Sequence, residues 1–203
     1  MAKILVGGNS KLGKMIETKA DLHYYLLKDK ESLCISRKSP HFYADEIWRF
    51  QIALRKLEFY SNTLSKKRKY VNFNFYKYIY WKYIHNKLGI KLGFDIPINV
   101  FGPGLRINHH GLIVVNPLCK IGAFCDIHQG VNIGTNVEEG SVPILGDNVY
   151  IGPGAKLFGK ISIGNNVMIG ANSVVNKSFP ENVTIAGIPA KIIKNEGTPY
   201  IRK

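Results

Sequence analysis

Aliphatic side chains recur every six residues through the C-terminal half of the chain. The series comprises Val115, Ile121, Ile127 and Ile133, and after a gap it resumes in phase as Leu145, Ile151, Leu157, Ile163, Ile169 and Val175. A small or medium side chain stands four residues after most of them, at Cys119, Cys125, Val131, Val149, Ala155, Val167 and Ser173. Neither the helical period of about 3.6 residues nor the strand period of about 2 explains this spacing.

The six-residue period predicts a three-sided parallel β-helix. Each hexapeptide would form one short side and a corner, so that three of them complete a turn of about 18 residues. The aliphatic and the small residue would fill the interior, and successive turns would stack as parallel strands about 4.8 Å apart. Glycine and asparagine near the corners tolerate the positive φ angles that such corners need. We therefore expect a mainly β architecture here.

Two interruptions of the period predict departures from regular stacking. The segment 135–143 lacks its aliphatic residue, because Glu139 stands there, and we interpret it as a loop that bulges from one corner. Pro180 and Pro189 should end the regular stacking, since proline cannot donate a ladder hydrogen bond. The tail beyond them is predicted to be a short strand or turn that leaves the β-helix.

The N-terminal half has a different pattern. Helices are predicted over residues 19–33, 45–64 and 76–88, where apolar residues recur at helical spacing between charges, and Ser39-Pro40 separates the first two. We accordingly divide the chain into a helical region at 1–92, a β-helix domain at 93–194 and a tail at 195–203.

Positive charge is concentrated in that N-terminal half. The formal net charge is +14, and residues 1–97 hold 19 basic against 8 acidic residues, whereas residues 98–203 hold 9 against 6. Nucleic acid, an anionic membrane surface, phosphate-bearing ligands and a merely solvated face are all compatible with this charge. For the basic and aromatic segment 66–87 we favour packing of the aromatic side chains, with association with a membrane surface as the alternative, and we expect no nucleic acid.

The remaining local patterns argue against several functions. The three cysteines form no CxxC pair and no metal-ligand spacing, so we expect no metal, and Cys119 and Cys125 are predicted to be core residues. The odd cysteine count without a signal peptide predicts a reducing cytoplasm. Residues 7–14 match a phosphate-binding loop except that Met15 replaces its Ser or Thr, so we do not expect nucleotide binding there.

Three histidines are candidates for chemistry. His109 and His110 are adjacent and should point to opposite faces of an extended chain. A turn of about 18 residues would place position 109 beside position 127, which makes His128 a neighbour on the next turn. Histidine is the usual side chain for proton abstraction near neutral pH, although polar corner residues would have the same spacing.

The chain resembles the serine acetyltransferase family of left-handed β-helix acyltransferases. The resemblance includes "KADLHYYLLKD", "SPHFYADEIWRFQIALRKLEFY", "HHGLIVVNPLCKIGAFCDIHQGVNIGTN", "ILGDNVYIGPGAKLFGKISIGNNVMIGANSVV" and "IAGIPAKII". It implies a left-handed β-helix, a homotrimer or dimer of trimers, and a site between neighbouring subunits. It also implies direct transfer of acetyl from acetyl-CoA to a hydroxyl, without a covalent enzyme intermediate and without a metal.

The resemblance further implies roles for particular residues. The family's catalytic histidine, four residues before its "IVV" run, matches His109, and the family aspartate before it is Asn108 here. Asp95 in "FDIP" would pair with the histidine, while the turn spacing, not the resemblance, makes His128 the catalytic neighbour. Asn108 and His110 would contact the acceptor. Acetyl-CoA would bind at Gly134, whose N–H would stabilise the oxyanion, and at Gly152, Ala155, Gly170, Ala171, Ala186, Gly187 and Lys191.

One departure from the family changes the expected acceptor. Ser141 and Val142 stand where the family has the Arg and His of a loop that holds the amino acid. The sequence segments "NVFGPGL" and "GVNIGTN" resemble those of acetyltransferases of capsular and exopolysaccharide clusters. We therefore expect a sugar hydroxyl in polysaccharide biosynthesis, in the cytoplasm at the inner membrane face. The alternatives are serine O-acetylation in cysteine biosynthesis and a non-enzymatic β-helix scaffold that binds partners.

Overall fold

The computed structural model describes residues 15–41, 43–66, 73–137 and 140–199. The phosphate-loop-like segment 7–14 and positions 67–69 of the basic run lie outside them. Three helices come first, namely α1 (Lys19–Ser32), α2 (Glu46–Lys66) and α3 (Phe73–Leu92). The helices therefore lie where the spacing predicted them, with α3 longer at both ends.

Short strands follow the helices. They are β1 (Phe94–Asp95), β2 (Arg106–Ile107), β3 (Ile113–Val115), β4 (Lys120–Ile121), β5 (Asp126–Ile127), β6 (Asn132–Gly134), β7 (Ile144–Leu145), β8 (Tyr150–Ile151), β9 (Lys156–Phe158), β10 (Ser162–Ile163), β11 (Met168–Ile169), β12 (Val174–Val175), β13 (Thr184–Gly187) and β14 (Ala190–Lys194).

These strands form the three sides of a β-helix. Sheet A has the order β1-β3-β6-β9-β12, sheet B has β4-β7-β10, and sheet C has β2-β5-β8-β11-β13-β14. The chain visits the sheets in turn, and all pairs except β13–β14 are parallel. All ten aliphatics of the six-residue series are at most 2% exposed, which confirms their predicted place in the core.

Turn length is not uniform along the β-helix. Regular turns have the predicted length of about 18 residues. In one of them, Val114 pairs with Asn132 of the next turn. The first turn is longer, because Arg106 pairs with Asp126 instead of with a residue nearer in the chain. The next step, from Asp126 to Tyr150, is longer still, because it contains the loop predicted at 135–143. Within that loop, positions 138 and 139 lie outside the described residues.

The helices and the first turn of the β-helix share one core. Phe50 and Leu54 of α2 and Leu88 and Leu92 of α3 belong to the same buried cluster as the β-helix interior. The hydrophobic core is therefore continuous across residue 92, and the division of the chain at that point stays a prediction.

The C-terminal segment returns along the β-helix. β13 continues the parallel stack of sheet C, and β14 pairs with it as an antiparallel hairpin. Beyond the hairpin, the Thr184 hydroxyl donates to the Glu196 carbonyl at 2.6 Å, and the Thr198 N–H donates to the Asn166 carbonyl at 2.9 Å. The described part of the tail thus stays against the last turns instead of leaving them.

Candidate active site

The candidate site lies at the corner where the chain passes from sheet C to sheet A. Residues 108–112 make this corner in the first turn and residues 128–131 make it in the second. Because Ile107 pairs with Ile127, Asn108 stands directly over His128. Asn108 Nδ2 lies 3.1 Å from His128 Nε2 and also donates to the Asp126 carboxylate. The extra residues of the first turn therefore correct the predicted register, in which position 109 stood over position 127.

His109 lies beside this pair and is exposed. Its ring centre is 6.2 Å from that of His128, with the two planes inclined by 48°. The His128 ring is half-buried and lies 5.0 Å from the ring of Tyr150 on the next turn. The structure thus brings together the two histidines selected from the sequence, and their catalytic roles stay predictions.

A buried carboxylate lies next to the histidines. Asp126 Oδ1 is 3.6 Å from His128 Nε2, and Asp126 Oδ2 is 3.7 Å from Arg106 Nη1. Sequence reasoning missed Asp126, Arg106 and Tyr150. These residues come together because the longer first turn places the outward-facing positions 106 and 108 over positions 126 and 128. The length of that turn cannot be derived from the six-residue period, so no signal in the sequence pointed to them.

Burial and neighbouring charges keep His128 neutral. Burial lowers the pKa of His128, Asp126 opposes this effect, and electrostatic interactions with His109 and Arg106 add to the lowering. The Asn108 amide, which donates to Asp126, also points an N–H at His128 Nε2, so the network assigns the ring proton of His128 to Nδ1. With its Nε2 lone pair occupied, His128 is less suited than the exposed His109 to accept a substrate proton.

The predicted pairing of Asp95 with His109 is not formed within the subunit. Asp95 lies on β1 in sheet A, opposite Val114, with its side chain exposed. Among the described residues, no hydrogen bond or ion pair joins Asp95 to His109, and the charge of Asp95 instead raises the pKa of His85, against the stronger opposing effect of burial. The carboxylate that accompanies the histidines within this subunit is Asp126.

His110 and Asn108 face a separate cavity. The cavity has a volume of about 280 Å³ and lies between the corner and the connection from α1 to α2. Its lining also includes Asp45, Glu46 and Trp48. The acceptor roles predicted for Asn108 and His110 are compatible with this position and stay predictions.

Three of the eight residues predicted to bind CoA lie in one column below the histidines, and three more lie at its end or edge. Strand register places Asn108, His128, Gly152, Gly170 and Ala186 on successive turns of the same corner. Lys191 of β14 pairs with Ala186 at the end of this column.

The glycines of the column are required by the close stacking of the turns. A Cβ at Gly152 would meet the Ala171 nitrogen at 2.7 Å, and one at Gly170 would meet the Ala186 Cβ at 2.9 Å. Below His128 the column consequently contains only glycine and alanine, and the exposed Ala171 and Gly187 lie at its edge.

Two of the predicted CoA residues lie elsewhere. Ala155 is fully buried with its side chain in the interior of the β-helix, so this side chain cannot line a groove. Gly134 ends β6 at the corner between sheets A and B, away from the corner that carries His109. The Gly134 N–H therefore cannot serve as the oxyanion donor for His109 of the same subunit.

Cys119 and Cys125 are confirmed as core residues. Both are buried free thiols. Burial raises the pKa of Cys119 to about 11 and also raises that of Cys125. Neither can supply a thiolate nucleophile near neutral pH. Within the described part of the chain, no cluster of three or more His, Cys, Asp or Glu residues could hold a metal ion.

Comparison with known proteins gives the fold a family context. The "Bacterial transferase hexapeptide (six repeats)" family model matches residues 143–177. The crystal structure of serine acetyltransferase from Brucella abortus strain S19 superposes with a TM-score of 0.65 at 26% identity, covering 88% of this chain and 71% of that one. This chain has the left-handed hexapeptide-repeat fold of serine acetyltransferases.

Two further serine acetyltransferases extend the comparison. The enzyme from Staphylococcus epidermidis is 47% identical over 98 residues, which cover 47% of this chain and 46% of that protein. A structure described as a serine acetyltransferase complex with CoA has a TM-score of 0.60 at 24% identity, covering 86% of this chain and 70% of that one. This chain spans about half the length of the curated relative.

The comparisons correct the expected acceptor. Relatives that match at 47% identity are named serine acetyltransferases, and so are the solved structures with this fold. The prediction of a sugar acceptor in polysaccharide biosynthesis was wrong. It depended on the replacement of two loop residues and on short sequence segments. Those stretches form turns of the shared serine acetyltransferase fold.

Proposed function

We propose that this protein is an acetyl-CoA-dependent serine O-acetyltransferase. The observation that carries the proposal is the exposed His109, which lies beside the neutral His128 at the head of a column of glycine and alanine. The names of the relatives supply the acceptor, L-serine, and the donor, acetyl-CoA.

In the proposed reaction, His109 takes the proton of the serine hydroxyl. The hydroxyl oxygen attacks the thioester carbonyl carbon, the C–S bond breaks, and the protonated His109 returns its proton to the leaving CoA thiolate. His128 stays neutral next to it, so that His109 can carry the single positive charge of the pair. Products are O-acetylserine and free CoA, and no acyl-enzyme forms.

The column explains how the donor would be held. From Asn108 to Ala186 it crosses four turn-to-turn steps, or roughly 19 Å at the usual spacing of parallel strands. An extended pantetheine arm would follow this column, with its thioester at the histidines. Lys191 at the far end would then meet the phosphate groups.

A coupled assay tests this function. The purified full chain should release CoA thiol from acetyl-CoA when L-serine is present, with O-acetylserine identified by mass spectrometry. Replacement His109→Gln should lower kcat by about 10²- to 10⁴-fold, the usual contribution of a general base. His110→Gln should mainly raise the KM for the acceptor, because His110 lines the adjoining cavity. If the chain binds acetyl-CoA but leaves serine unmodified, the proposed acceptor is wrong.

We further propose that the protein works as a homotrimer with its sites between subunits. The predicted oxyanion role of Gly134 requires this arrangement, since Gly134 lies at a different corner from His109 of the same subunit. Ile90 and Leu112 support it too. They are 85% and 66% exposed, and with Asp95 they line an open cavity of about 350 Å³ close to the histidine corner. Such exposed apolar surface is typical of interfaces.

The outer face of α3 supports a separate proposal, association with an anionic membrane surface. Trp81 and Leu88 face α2 or the core, which agrees with the predicted packing, but Tyr76, Tyr80 and Tyr83 remain exposed. α3 contains lysines and no acidic residue, a combination that favours binding in the plane of an anionic membrane. No described helix is both long and apolar enough to cross a membrane.

Vesicle sedimentation tests this association. The protein should pellet with vesicles that contain phosphatidylglycerol and stay in solution with neutral phosphatidylcholine vesicles. The double replacement Lys82→Glu, Lys87→Glu should abolish pelleting, while Lys38→Glu, Lys160→Glu, the same charge change away from α3, should not. Equal loss in both double variants would show only general charge attraction.

A further inference from the structure

Arg106 places a guanidinium group on the same face as the catalytic candidates. It begins β2, and because Ile107 points into the core, Arg106 and Asn108 share the outward face of sheet C. On the next turn, Asp126 lies opposite Arg106 and His128 lies opposite Asn108. The guanidinium is thus held at the edge of the histidine corner.

The donor groups of Arg106 are largely unused. Its contact with Asp126 measures 3.7 Å, which is an ion pair too long for a hydrogen bond. Across the described residues this is the single polar contact that its side chain makes, although a guanidinium has five N–H donors. The arginine between the helices and the β-helix, Arg55, instead hydrogen-bonds two carboxylates and two backbone carbonyls.

Arg106 is also open to a ligand. Its side chain is 32% exposed, whereas that of Asp126 is 12% exposed. The carboxylate of Asp126 is engaged by Asn108 and lies near His128, so it can hold the guanidinium in place without saturating it. The positive charge of Arg106 contributes to the lowered pKa of His128, which agrees with a guanidinium close to the histidine pair.

We infer that Arg106 binds the α-carboxylate of the amino-acid acceptor, an inference that rests on the proposed serine acetyltransferase function. The planar guanidinium matches a carboxylate in a two-point hydrogen bond. In serine, three bonds separate the carboxylate carbon from the hydroxyl oxygen. A carboxylate on Arg106 therefore keeps the hydroxyl within reach of the histidine corner and selects acceptors that carry both groups.

The test compares L-serine with L-serinamide, which keeps the hydroxyl and the ammonium group but lacks the carboxylate. Replacement Arg106→Gln should raise the KM and the Kd for serine by about 10- to 100-fold, the usual loss for charged hydrogen bonds. The KM values for serinamide and for acetyl-CoA should stay unchanged. Arg106→Lys keeps the positive charge but lacks the planar guanidinium that binds a carboxylate at two points. Its KM for serine should lie between those of the wild type and Arg106→Gln.

Controls separate recognition from a structural effect. Lys120→Gln removes a positive charge from sheet B on the same turn. It should alter neither the KM for serine nor the KM for serinamide. An unchanged ratio of serine to serinamide efficiency in Arg106→Gln would overturn the inference, as would an equal rise in both KM values.

Calorimetry with serine alone distinguishes failure of the inference from failure of the proposed function. Serine binding that is independent of Arg106 refutes the inference and leaves the function standing. A wild-type protein that neither binds nor acetylates serine refutes both.

Discussion

At the scale of single residues, His128 makes stability depend on pH. Its pKa is lower in the folded chain than in the unfolded one, chiefly through burial, with contributions from His109 and Arg106 and opposition from Asp126. As the pH falls through 6.5, the ordinary pKa of histidine, His128 becomes protonated in the unfolded chain while it stays neutral in the folded chain. The contribution of His128 to folding stability should therefore be fully present above that pH and be lost as the pH falls through its lower pKa in the folded chain.

Urea unfolding at about pH 7.5 and about pH 5.5, on either side of the ordinary histidine pKa, checks this expectation. The wild-type chain should lose stability between the two conditions, and His128→Gln, which cannot titrate, should lose less. Lys160→Gln, a surface change remote from the corner, should lose as much as the wild type. Identical losses in the His128→Gln and wild-type chains would show that His128 does not cause the pH dependence.

The sequence could propose His109 but not its partners. The family pattern before the "IVV" run selects His109, which the structure places at the corner together with Asn108 and His110, and its catalytic role stays a prediction. The link of His109 to Asp95, which the family resemblance implied, is not formed within the subunit, whereas Asp126 approaches His128 through the register of two turns. That register depends on a lengthened first turn that no periodicity reveals.

At the scale of elements, a buried ion network fixes the helices to the first turn of the β-helix. Arg55 of α2 is bonded to Asp29 of α1 and to Glu58, and it donates to the carbonyls of Phe101 and Gly102. Asp29 in turn accepts from the N–H groups of residues 104 and 105. The helices thereby hold the segment that leads directly into Arg106 and the histidine corner.

Removal of the central cation should destabilise this junction. Burial raises the pKa of both Asp29 and Glu58, and Arg55 opposes it. Arg55→Met would leave two buried carboxylates without a counter-charge, at a cost of about 3–5 kcal/mol in the free energy of unfolding. The surface replacement Lys28→Met, which breaks the exposed pair with Glu31, should leave the urea midpoint nearly unchanged. Equal shifts in the two variants would refute the role of the network.

The elements themselves were largely predictable, and their junction was not. The six-residue period fixes which strand residues point inward, and helical spacing found all three helices of the described chain. Contacts such as Arg55 with Phe101, 46 positions apart, depend on how the helices dock. A charged residue in an amphipathic helix is usually a solvated position, so Arg55 gave no sign of its complete burial.

At the scale of the whole molecule, the proposed trimer connects the exposed apolar patch to activity. Leu112 lies two residues after His110 and is 66% exposed, so in an isolated subunit it would leave apolar surface in water beside the site. If a neighbouring subunit covers Leu112, a charge there must be buried without a partner, which costs several kcal/mol.

Light scattering and enzyme kinetics on the same samples test the trimer. The wild-type chain should have three times the mass of one chain, and Leu112→Asp should dissociate to monomers with loss of acetyl transfer. Leu112→Ile, which keeps the apolar surface, should retain both mass and activity. Circular dichroism should show an intact β-helix in Leu112→Asp, because the side chain lies outside the core. A trimeric and active Leu112→Asp variant would place the subunit interface on a different face of the β-helix.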